Sequence, residues 1–83
     1  MINGKDFREA LKVIHNMEFD DFCKIFGWNG SESKIEYAKE KFSLMQRNLV
    51  HFVGNLDDHN MELFFSYLNA KLTPNSVNLI KQL

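Results

Sequence analysis

Apolar residues recur at alternating spacings of three and four, from Ile35 through Ala38, Phe42, Met45, Leu49 and Phe52 to Leu56. At about 100° per residue this spacing keeps all seven side chains along one edge of a helix, so the pattern predicts a helix from about 34 to 53. Ser33 followed by Glu36 has the form of a capping box that opens it, and Gly54 suits its end. Such a helix is roughly 30 Å long, the width of a small domain. The other elements must gather around it.

Three further helix starts share one arrangement: an apolar residue, a capping residue, and an apolar residue four positions after the cap. They are Ile2, Asn3 and Phe7; Leu56, Asp57 and Met61; and Leu72, Thr73 and Val77. In each, the cap's side-chain oxygen can take an orphan backbone N–H while the apolar pair closes over the turn. These starts predict a helix from about Gly4 to His15, with Phe7, Ala10, Leu11 and Ile14 turned inward. They also predict a helix from about Asp58 to Lys71 with Met61, Phe64, Phe65, Leu68 and Leu72 on one face. A short last helix from Pro74 to about Gln82 presents Val77, Ile80 and Leu83, with Pro74 at a position where a missing N–H costs nothing.

Asn16 is placed to cap one more helix, about Met17 to Phe26, whose inner face is Phe19, Phe22, Cys23 and Phe26. Gly27 suits a left-handed end to it. Trp28-Asn29-Gly30-Ser31 reads as a loop, with Trp28 folded back as a lid over the core. No alternation of β-branched residues supports a strand. The fold expected is all-α: a compact bundle of four to five helices with a long central third helix, residues 1–83 forming a single helical domain.

Composition sharpens this picture. Eighty-three residues lie near the lower end of what one core stabilises without disulfides or metal, but eight are Phe, each contributing on the order of 2 kcal/mol when buried. Ten basic and eleven acidic side chains give a net charge of −1, which removes the sequence-independent attraction to phosphate on which most nucleic-acid binders rely. A single cysteine excludes an intramolecular disulfide, and the apolar runs are too short for a signal-peptide core or a membrane span. A cytoplasmic protein without membrane attachment is expected.

Candidate chemistry is sparse. Cys23 shares the apolar face of Phe19, Phe22 and Phe26, which marks it as a small core side chain rather than a nucleophile. His15, His51 and His59 fall in separate segments without the paired Glu-x-x-His units of a di-metal site. His59, Glu62 and Asp58 lie near a helix start, where the carboxylates complement the positive helix end. Glu32, Glu36 and Glu40 form one solvated column. No nucleophilic triad, phosphate-cradling glycine loop or dinucleotide fingerprint occurs. No catalytic, cofactor-binding or metal residue is assigned, and the protein is expected not to be an enzyme.

The outer faces carry more information. Tyr37, Leu44 and His51 recur every seven residues, away from the core stripe, and Leu63 and Tyr67 form a second apolar column on the helix from Asp58. A helix apolar on two sides is either buried on both or shared with another chain. These five residues are the candidate partner-binding patch of a small interaction or regulatory module, one that binds or inhibits another protein or pairs with itself as a homodimer. The alternative is a helix-turn-helix-like nucleic-acid-binding regulator built on the second and third helices. Against it, Glu32 and Glu36 accompany Lys34 in the first turn of the would-be recognition helix, and the turn from Gly27 to Glu32 is long.

Overall fold

A computed structural model describes residues 4–82, which form six helices in chain order: α1 (Gly4–His15), α2 (Phe19–Phe26), α3 (Glu32–Arg47), α4 (Leu49–Gly54), α5 (Asp58–Lys71) and α6 (Pro74–Lys81). The bundle is all-α, without strands among the described residues. Among these residues no helix is long and apolar enough to cross a membrane.

The long central helix is replaced by two helices meeting at Asn48, which raises the helix number to six. Asn48 leaves the helical region, with φ −149° and ψ 79°. Its N–H donates to the Leu44 carbonyl at 2.7 Å, closing α3, and its side-chain oxygen accepts the His51 N–H at 3.2 Å, opening α4. The apolar stripe survives the break because both helices turn the same edge inward: Met45 and Phe52 are each 1% exposed, and Leu49 is half-buried. A continuous helix would hold Tyr37 and Leu56 roughly 28 Å apart. In the structure they line the same cleft, so the chain doubles back at Asn48.

Other boundaries also move. Ser31, not Ser33, caps α3, its hydroxyl accepting the Lys34 N–H at 3.3 Å. The first turn of α2 starts two residues later than expected, after Glu18, whose side chain makes no capping bond. Asn16 finishes α1 instead, donating its N–H to the Lys12 carbonyl, and Met17 is buried in the connection. Phe7 is 39% exposed rather than inward-facing, because the start of α6 meets the first turns of α1 on the side of Lys5, Asp6 and Glu9. Gly27 ends α2 at φ +73°, and Asp57 and Thr73 cap α5 and α6 as their spacing predicts. The Ile2 and Asn3 start and the terminal Leu83 lie outside the described residues.

Fully buried Phe22 organises the core. Its ring meets those of Phe26, Trp28, Phe42 and Phe52 at centroid distances between 5.1 and 5.8 Å. Phe64 extends the cluster through Phe26 and Phe52. Edge-to-face and offset pairs of this kind add to the area they bury. Gln46 joins α3 to α1, its amide donating to the Ile14 and His15 carbonyls at the open end of α1. The Lys39–Glu36 ion pair, 3.3 Å long, has both side chains largely in water and contributes little.

Candidate functional site

The reversal at Asn48 brings the outer side of α3 against the connection between α4 and α5, and a cleft of about 90 Å³ lies between them. Tyr37, Lys41 and Leu44 form one wall because they sit four and three residues apart on α3. Asn55, Leu56 and Asp57 form the other, with Phe52 and Trp28 beneath. The space admits the tip of a side chain or a few waters and falls well short of the ~300 Å³ at which small-molecule pockets begin. A larger hollow beside it is lined from Lys39 to Arg47 by α3 alone, and a single helix cannot enclose a ligand.

The aromatic wall is held in place although it faces water. Tyr37 is 47% exposed, yet its ring stands perpendicular to that of Trp28 at 4.9 Å. The Lys41 ammonium lies 5.4 Å over the same ring, a cation–π contact on an exposed surface. Trp28 is itself stacked on Phe26 at 4.4 Å and edge-on to Phe22, so a side chain on a loop is anchored by the core and in turn fixes Tyr37. The lid expected of Trp28 is present.

On the opposite wall, Asp57 and Asn55 each commit one side-chain atom to the backbone. Asp57 Oδ1 accepts the Asn60 N–H at 2.8 Å, and the Asn55 amide donates to the His51 carbonyl at 2.8 Å. They close the end of α4 and open α5, and so shape the rim. Lys41 is left as the cation at the mouth.

Of the five predicted patch residues, the cleft takes Tyr37 and Leu44. His51 stays exposed on α4, its backbone used in capping, because the break at Asn48 takes it off the line of the other two. Leu63 and Tyr67 are half-buried against the core. Burial, and then the Asp21 carboxylate of α2, push the Tyr67 phenol above its ordinary pKa, which places Tyr67 on the α2–α5 side. Lys41, Phe52, Asn55 and Leu56 were not anticipated as a site. The one available signal was Lys41, four residues after Tyr37 on the same helical face.

Cys23 is buried in the core, and burial first, then Asp20, push its thiol above the ordinary range, opposite to the shift that activates a nucleophile. Among the described residues, no three His, Cys, Asp or Glu side chains gather closely enough to hold a metal ion. No family model, curated protein or solved structure matches the chain.

Proposed function

We propose that the chain is a non-enzymatic protein-interaction module that docks a partner protein through the cleft between α3 and the α4–α5 connection. The observation that carries this reading is Tyr37, a large aromatic side chain that is about half exposed yet fixed between Trp28 and Lys41. Rigid aromatic side chains are the usual anchors of protein interfaces, since they bury much area and lose little rotamer freedom on binding. The cleft beside Tyr37 offers the half-buried Leu44 and Leu56 among the polar side chains of Asn55, Asp57 and Asn60, a mixed lining suited to a partner side chain with an apolar stem and a polar tip.

The test is comparative capture from the source cell, followed by affinity measurement with the purified partner. Tyr37→Ala and Leu44→Glu each lower the affinity at least tenfold, while Ser66→Glu, on the exposed side of α5, leaves it unchanged. Equal affinity for all variants, each with unaltered thermal unfolding, overturns the reading. So does recovery of nucleic acid whose binding weakens steeply with salt.

A further inference from the structure

We infer that the chain can exchange its C-terminal half, α4–α6, with a second copy of itself by fusing α3 and α4 into one helix. The inference is independent of the cleft as a docking site and rests on the hinge. One residue, Asn48, separates the two helices, and the apolar stripe runs through it in phase, so nothing in the side-chain pattern opposes a continuous helix from Glu32 to Gly54. Fusion gains the three backbone bonds that an unbroken helix makes across this point, from the N–H groups of Leu49, Val50 and His51 to the carbonyls of Met45, Gln46 and Arg47. In the closed form the Asn48 side chain replaces one of them, at His51.

Straightening the hinge carries α4–α6 away from α1–α3 within one chain. It parts α3 from α4, α1 from α6 and α2 from α5, and it pulls the rings of Phe52 and Phe64 off those of Phe22 and Phe26. A second copy opened the same way presents the same surfaces, so two chains restore all of this packing reciprocally. Exchange of identical elements about a short hinge is a low-cost route to a symmetric dimer. The occupant of the opened surface is therefore the complementary half of the same sequence.

The experiment compares wild type, Asn48→Ala and Val50→Pro by sedimentation after refolding from denaturant at micromolar and at millimolar concentration. Wild type forms some dimer at the higher concentration. Asn48→Ala removes the cap that only the closed form uses and adds a strong helix former, and shifts the equilibrium about tenfold toward dimer. Val50→Pro is tolerated in the first turn of α4 but clashes with the Gln46 carbonyl in a continuous helix, and stays monomeric. In dimers assembled from labelled and unlabelled copies, nuclear Overhauser contacts join Phe26 of one chain to Phe64 of the other. Monomer throughout for wild type and a folded Asn48→Ala overturns the proposal. Dimerisation of Val50→Pro to the same extent as wild type also overturns it, and this comparison decides the matter if Asn48→Ala does not fold. Loss of the dimer leaves partner affinity at Tyr37 unchanged, which separates this result from a failure of the docking cleft.

Discussion

The ring of Phe22, on α2, lies 5.8 Å from that of Phe52, on α4, at an interplanar angle of 47°, and this contact ties the first half of the chain to the second. Both side chains are essentially without solvent exposure. Phe22→Ala removes a ring that four others touch, and we expect a loss of about 3–5 kcal/mol, much of the stability available to a domain of this size. Phe22→Leu retains most of the volume and should cost about 1–2 kcal/mol. Urea unfolding followed by far-ultraviolet circular dichroism reads both. A loss under about 1 kcal/mol for the alanine variant would show that the ring cluster is not the centre of cohesion.

Two glycines respond oppositely to the same substitution. Gly27 has φ +73°, and nothing lies within 4 Å of an added Cβ, so the cost of Gly27→Ala is purely conformational, about 1 kcal/mol. Gly54 ends α4 without a positive φ and also with open space around it. Gly54→Ala should therefore stabilise by about 0.5–1 kcal/mol. Thermal unfolding of the two single variants checks the pair, and equal signs contradict the geometry.

Thr73 and Ser76 act as a unit at the start of α6. The Thr73 hydroxyl accepts the Ser76 N–H at 3.3 Å and donates to the Ser76 hydroxyl at 3.1 Å, and Ser76 is 1% exposed. Thr73→Ala removes the cap and strands a buried hydroxyl, for an expected loss of about 2 kcal/mol. Once Ser76 is alanine, the same change at Thr73 should cost about 1 kcal/mol, since only the cap remains to be lost. A double-mutant cycle measured by chemical denaturation gives the coupling; strict additivity rejects it.

Tyr67 makes the fold sensitive to alkali. Its phenol is raised above the ordinary value of 10.0, by burial first and the Asp21 carboxylate second. The unfolded chain therefore ionises before the folded one. The contribution of Tyr67 is intact below pH 10.0 and is lost as pH rises through the higher folded value. Tyr67→Phe should flatten the alkaline limb of a stability-against-pH curve, and Asp21→Asn should move the phenol back toward its ordinary value in an absorbance titration. An unchanged limb in Tyr67→Phe places the alkaline loss elsewhere, with Cys23 the next group to examine.

The helices were legible where period and cap agree. Asp57 with Met61 and Thr73 with Val77 mark α5 and α6 because both signals are local. Asn48 was hidden because a one-residue interruption leaves the apolar period intact, and only its residue type, a good cap, marks the break. Ser31 and Ser33 are both credible caps, and the choice follows from how the loop carrying Trp28 meets the core. Of the patch, Tyr37 and Leu44 were legible from their column, whereas His51 was misaligned by the hidden reversal and the rim residues Asn55 and Leu56 reach the cleft only because of it. A periodic pattern reports which side of a helix is apolar; it does not report where the helix turns back.

Trp28, the single tryptophan of the chain, rests its indole on Phe26 and meets Tyr37 with an edge-to-face contact. Its emission consequently samples two environments at once, the interior through Phe26 and the mouth of the cleft through Tyr37. Unfolding should shift that emission to the red, whereas the proposed docking at the cleft should alter its intensity without dispersing the rings below. The molecule thus needs no attached dye for its unfolding, or for the proposed docking, to be followed by light.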